Sequence, residues 1–227
     1  MSIIRSIRIA ALLSSLFLLP NAFAASSAEL DQAMAHDGLQ KVTIKGIDLA
    51  YTRPGATLAG YNRVKLDPVE VAFSKNWDPN RTGSNIKLSN DEREKIRSGV
   101  GKLVYDEFTR ELQSKNAYQV VSEAGPDVLR VKASIVNLYV NAPDTLSPGR
   151  SRTYTVSAGE MTLFIELFDS ETGQVLARMV DRSEARNSGV MNLSNSVENA
   201  SEAQAIAAAW ARALRKGLDT AHGIGKK

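Results

Sequence analysis

Any chemistry done by this chain must come from two histidines, a scatter of carboxylates and a few arginines, because cysteine is absent. That absence excludes thiolate metal sites, disulfides and cysteine nucleophiles together. His36 sits in an N-terminal arm and His222 at a helix end, and neither has His, Asp or Glu at metal-ligand spacing on a shared face. Surface positions are expected for both, with His222 complementing a helix C-terminal dipole. A serine hydrolase would need one of them as its base, yet no G-x-S-x-G elbow presents a nucleophile. Ser98-Gly99-Val100-Gly101-Lys102-Leu103 imitates a phosphate loop, but Ile96 stands where the first glycine is needed and Leu103 where Ser or Thr would hold magnesium. No catalytic residue, cofactor or metal ligand is assigned.

Two sets of residues stay open. Asp67, Glu70, Glu160, Glu166, Asp169 and Asp181 fall on or beside expected strands. Two of them brought together could act as a glycosidase pair, although solvent-facing carboxylates on strands commonly only solubilise. The second set lies between residues 143 and 159, the longest connection between two strong strands, where Arg150, Arg152 and Tyr154 follow closely on one another. A loop of that length in a compact domain is functional or a passive connector. If functional, its donors suit an envelope protein, an anionic glycan or a lipid head group. Three Asn-x-Ser/Thr matches, at Asn80, Asn192 and Asn199, are short patterns that recur by chance.

The elements that must position these residues are legible in outline. Residues 25–60 read as a mostly irregular arm, with a brief alternation at Lys41–Lys45 and a Pro54-Gly55 turn. From Arg63 to Phe73 a strand changes phase at Asp67-Pro68, as a bulge would make it do. Ser89 with Glu92 forms a capping box, and Ile96, Val100, Leu103, Val104, Phe108 and Leu112 then line one helical face. Gly99 and Gly101 should each weaken that helix by roughly 1 kcal/mol relative to alanine. Strands follow at Tyr118–Val121, Val128–Val140, around Met161–Phe168 and at Val175–Arg182, the last two joined by an Asp169–Gly173 turn. A second helix opens at Ser201 with Gln204 and ends at Gly223, its stripe comprising Ala203, Ile206, Ala207, Trp210, Leu214, Leu218 and Ala221. The expected fold is α+β, with a mixed, largely antiparallel sheet of about five strands and two amphipathic helices packed on one face. Residues 61–223 form its single domain.

The first 24 residues read as an address. Arg5 and Arg8 precede an apolar run, Ile9–Leu19, then Pro20 and the Ala22-Phe23-Ala24 pattern that signal peptidase recognises. The run is well short of the ~20 residues that span a bilayer. Cleavage after Ala24 is expected, an uncleaved anchor being the alternative. The mature chain would then be periplasmic, with neither a transmembrane segment nor, lacking cysteine, a lipid anchor. Removing Arg5 and Arg8 reduces the formal charge from +3 to +1. A chain so nearly neutral has no global field for nucleic acid.

Several segments together resemble the bacterial "domain of unknown function 3313" family. They are Tyr51-Thr52-Arg53-Pro54-Gly55-Ala56, Tyr61, Asp67-Pro68-Val69-Glu70-Val71, Asp127-Val128-Leu129-Arg130-Val131, Glu166 through Gly173 with Val175-Leu176-Ala177, Asp181-Arg182, Trp210-Ala211 and Leu214-Arg215. The resemblance spans roughly residues 50 to 222, and the order of its blocks is specific although each is short. It implies an envelope protein, often a lipoprotein, of undetermined biochemical role; the lipobox cysteine is missing here. A non-enzymatic binding or scaffold module is the reading preferred on sequence. A hydrolase using strand carboxylates on a wall component and a small-ligand carrier are the alternatives.

Overall fold

The computed structural model describes residues 27–75, 77, 89–141, 157–184 and 196–224. Its elements in chain order are α1 (Ser27–Ala35), β1 (Gln40–Val42), β2 (Leu49–Thr52), β3 (Arg63–Leu66), β4 (Glu70–Phe73), α2 (Asn90–Gln113), β5 (Gln119–Val120), β6 (Val128–Asn141), β7 (Ser157–Asp169), β8 (Val175–Glu184) and α3 (Ser196–Ala221). One mixed, mostly antiparallel sheet runs in the order β1-β2-β8-β7-β6-β3-β5, with β4 also beside β6. It has eight strands rather than about five, and a third helix. The residues expected to be mostly irregular supply α1, β1 and β2. Strands of three and four residues carry too little alternation to be read alone; β2 is held in place by antiparallel pairing with β8 from Leu49↔Val180 to Thr52↔Ala177.

Parallel pairing arises where α2 crosses between strands: β3 lies parallel to β5 and β6, and β4 to β6. The phase change at Asp67-Pro68 is a bulge. Leu66 pairs with Val131 and Glu70 with Ser134, so four steps on one strand match three on the other. The β7–β8 turn also forms as its residues require. Asp169 Oδ1 accepts from the Glu171 and Thr172 amides, and Gly173 takes the positive φ of 70° that closes the turn.

The Ser89–Glu92 capping box is present in both directions. Behind it, Ile96, Val100, Val104, Phe108 and Leu112 are buried against the sheet, with Leu103 partly so. The two glycines separate in role. An added Cβ at Gly99 meets nothing within 4 Å, whereas at Gly101 it would stand 2.7 Å from the backbone oxygen of Val69. Gly101 therefore lets α2 lie directly on the β3–β4 bulge, which a propensity argument does not reveal. Gly99→Ala should stabilise by about 1 kcal/mol. Gly101→Ala should destabilise by on the order of 1–3 kcal/mol through overpacking. Thermal melts of the two variants should shift in opposite directions, and shifts of the same sign would refute the close approach.

α3 begins at Ser196, so Ser201 and Gln204 are interior residues and not its cap. Ala203, Ala207, Trp210, Ala211, Leu214 and Leu218 are buried in the core with α2. Gly223 ends the helix with φ 72°. The alternating residues Leu129, Val131, Ala133 and Ile135 of β6, and Met161, Leu163, Ile165 and Leu167 of β7, face these two helices. On the opposite face α1 covers only part of the sheet, through Leu30 and Met34 against Tyr51, Phe164 and Val180.

Candidate functional site

The part of that second face left uncovered by α1 is where charge gathers. Its strands are placed by register. Lys65 pairs with Arg130 across β3–β6, and across β6–β7 Arg130 pairs with Phe168 and Lys132 with Glu166. Residues paired in register project to the same side, and strand alternation adds every second residue. Since Leu129, Val131 and Ala133 face the helices, Lys65, Arg130, Lys132, Glu166 and Phe168 share the opposite face.

Neighbours settle most of this charge. The Arg130 guanidinium donates to Asp67 Oδ2 from Nη2 at 2.7 Å and from Nε at 2.9 Å, with Nε also 3.2 Å from Oδ1, and lies 5.6 Å from the Phe168 ring centroid. The Asp67 bond first, and the Glu166 charge beyond it, raise the Arg130 pKa further. Glu166 accepts instead from Arg178 Nε at 2.8 Å. Lys132, directly opposite Glu166, is thereby left with no ion pair or hydrogen bond to its ammonium among the described residues, and Lys65 is in the same position. Both lysines are half-buried. Lys45, Lys95, Lys115, Arg212 and Lys216 also lack ion pairs among the described residues, but all five are exposed; of the half-buried arginines without one, Arg53 bonds two backbone carbonyls and Arg93 lies over the Trp77 ring. Half-buried lysines whose ammonium groups have no ion pair among the described residues are therefore found on this face. Beside it, Arg63 pairs with Asp127 and holds that carboxyl below its usual range.

The carboxylates weighed from sequence are for the most part committed elsewhere. Asp67 serves Arg130, Glu160 accepts from Asn137 and Arg182, and Glu166 serves Arg178. Asp169 closes its turn and accepts from Tyr61, whose hydroxyl is pushed up to about 12 by burial and then by that bond. Asp181 accepts from Trp210 Nε1 at 2.7 Å and from the Asp48 amide at 3.2 Å. Glu70 is exposed. The histidines differ from expectation in one case. His36 stays exposed beside Asp37. His222 is half-buried, with Nδ1 2.9 Å from the Leu218 carbonyl and its ring against Tyr118, because the α3 terminus folds onto the end of α2. Glu107, on α2, is buried and bonded by Gln204 and Arg110.

Arg150, Arg152 and Tyr154 lie outside the described residues, as do the sequons at Asn80 and Asn192 and the whole of residues 1–24. The open face was half visible in sequence: alternation already sets Arg130 and Lys132 outward. Lys65 could not be joined to them without knowing that β3 pairs with β6 across more than sixty residues.

A family model described as "Protein of unknown function (DUF3313)" matches residues 31–214. No curated protein matches significantly. Among solved structures, a PelC dodecamer from Paraburkholderia phytofirmans aligns over 74% of this chain and 96% of its own at 12% identity and TM-score 0.36. A DUF330 protein from Xanthomonas campestris aligns over 76% of this chain and 91% of its own at 9% identity and TM-score 0.39.

Proposed function

The chain belongs to the DUF3313 family, whose function is unknown, and from that premise we propose that it is an exported, periplasmic, non-enzymatic binding or scaffold module of the cell envelope. The observation that carries this reading is the sheet face beyond α1 with its two half-buried lysines, unpaired among the described residues. Charge left unpaired at a half-buried position costs desolvation, and a partner bearing the opposite charge recovers it. Commitment of the strand carboxylates to Arg130, Arg178, Arg182, Trp210 and the β7–β8 turn supports binding over a hydrolase. Export rests on the signal pattern ending at Ala24. Among the described residues no helix is long and apolar enough to cross a membrane. Arg150, Arg152 and Tyr154 are proposed as a second contact for an anionic partner.

The test uses the full chain with a C-terminal affinity tag, crosslinked in intact envelope and purified. The expected result is a discrete crosslinked adduct whose tagged chain begins at Ala25 by mass spectrometry. A tagged chain that stays monomeric with crosslinkers of several lengths would overturn the binding reading. Retention of Arg5 or Arg8 would overturn cleavage.

A further inference from the structure

We propose that Lys65, Arg130 and Lys132 together receive an extended acidic segment of a partner protein, one carrying carboxylates at alternate residues. The proposal rests on the binding reading above and names its partner chemistry.

The geometry is that of a sheet surface and not of a pocket. Arg130 and Lys132 are two residues apart on β6, about 6.6–6.8 Å along a strand, and Lys65 stands one strand over, about 4.8 Å away. An extended peptide has the same two-residue repeat. Laid along β6, it would set successive carboxylates opposite Arg130 and Lys132, while Lys65 borders the same row. A lone phosphate or carboxylate would gain less, since donors spread over a flat face do not converge on one small anion.

The sign pattern selects further. Asp67 and Glu166 lie within the same patch, bonded to Arg130 and Arg178. A uniform polyanion, such as an anionic bilayer or a polyuronate, would press its charge against those carboxylates as well as the lysines. A single extended segment lays one row of carboxylates along β6 and leaves Glu166 on the neighbouring strand β7 uncovered, so it meets the cations with less like-charge contact than a broad anionic surface. Half-burial of the Lys65 and Lys132 stems restricts their ammonium positions before binding, so less side-chain freedom is lost on contact. Phe168, half-buried and paired with Arg130 across β6–β7, offers apolar surface to the stem of the acidic side chain set against Arg130.

The probe is a fluorescein-labelled dodecapeptide of alternating Glu and Thr, followed by fluorescence anisotropy on the full chain at low ionic strength. Binding is expected, and it should disappear when Gln replaces Glu. Lys65→Met with Lys132→Met keeps the apolar stems and removes both ammonium groups; it should weaken binding at least about tenfold, the loss shrinking as salt screens the contact. Lys95→Met with Lys216→Met, on exposed helical positions, should leave binding unchanged. The peptide should also protect Lys65 and Lys132 of the parent from acetylation, a readout that needs no variant. No binding by the parent, or equal losses in the two double variants, would overturn the proposal. So would vesicles of equal parts phosphatidylglycerol and phosphatidylcholine, or polygalacturonate, binding through these lysines where the peptide does not. If envelope crosslinks persist in the Lys65/Lys132 variant and the peptide fails to bind, this site is wrong while the binding reading stands. If the parent gives no crosslinks, the binding reading itself fails.

Discussion

Trp210→Ala is expected to destabilise the protein by roughly 3–5 kcal/mol, the range for deleting a large buried aromatic. Trp210 is 4% exposed in the core between α3, α2 and the sheet. Its loss also takes away the Nε1 donor that sits 2.7 Å from Asp181 Oδ2. Trp210→Phe keeps an aromatic ring while removing the donor and part of the indole volume; about 1.5–3 kcal/mol is expected for the lost bond to a charged acceptor, with a cavity contribution that does not vary with pH. Asp181 makes the second variant diagnostic. Burial lifts its carboxyl above the usual range, the Trp210 and Asp48 donors pull it down, and the Asp48 charge raises it, with the net shift upward. A carboxyl raised in the folded state supports folding below its unfolded pKa, and that support is lost as pH rises through the folded pKa. Without Trp210 the folded pKa climbs further, so the deficit of Trp210→Phe should widen from pH 4 towards neutrality. Denaturant melts of both variants across that interval measure it. Arg212, exposed on the same helix, is the control and should tolerate alanine. An unchanged melt for Trp210→Ala would mean that α3 does not pack on the sheet, and a pH-independent deficit for Trp210→Phe would mean that the bond to Asp181 contributes nothing.

Trp210 also shows which parts of this fold were legible in sequence. The stripes of α2 and α3 and the alternation of β6 and β7 repeat over many residues, so their buried faces could be read before their partners were known. The Ser89 cap was readable because it precedes its stripe, whereas Ser201-x-x-Gln204 has the same spacing inside a helix that starts five residues earlier. Spacing alone cannot tell an interior serine from a cap. α1 was missed for a different reason. Its nine residues carry a weak apolar pattern, and its stability comes from a sheet face assembled out of β2, β7 and β8. The site divides in the same way. The outward phase of Arg130 and Lys132 is local information, but the pairing of Glu166 with Arg178 in place of Lys132 is not, and Arg178 is itself fixed by residues about 140 positions away.

Arg178 carries the other large effect. Its side chain is 5% exposed on β8, and its three nitrogens reach Glu166 Oε1 at 2.8 Å, the His36 carbonyl at 2.8 Å and Asp37 Oδ2 at 2.6 Å. Arg53 adds a bond to the Asp37 carbonyl at 3.0 Å. Two guanidinium groups thus close the C-terminal end of α1, where cations complement the helix dipole and Asp37 holds a positive φ of 68°. Arg178→Met removes the charge while keeping an apolar stem, and it takes from Glu166, whose side chain is 12% exposed, its ion-pair partner among the described residues. Breaking a buried pair from one side costs about 3–5 kcal/mol, and the lower end is expected because Glu166 is part-exposed with Lys132 opposite it. Asp37, more exposed, adds less because solvent screens it. Arg178→Lys should recover only part of the loss, since a single ammonium cannot span three acceptors in different directions. Arg178→Met combined with Glu166→Leu should recover more, because no charge is then stranded. The acid limb supplies an independent check. Burial pushes the Asp37 carboxyl up, but the Arg178 bond and then the His36 contact outweigh it, leaving its pKa below the usual value. A carboxyl lowered in the folded state stabilises above its unfolded pKa, and that contribution disappears as pH falls through the folded pKa. Arg178→Met should therefore flatten the acid-induced loss of stability as well as lower the melt at neutral pH. A variant within 1 kcal/mol of the parent at neutral pH, with an unaltered acid limb, would mean that α1 is held without the Arg178 contacts.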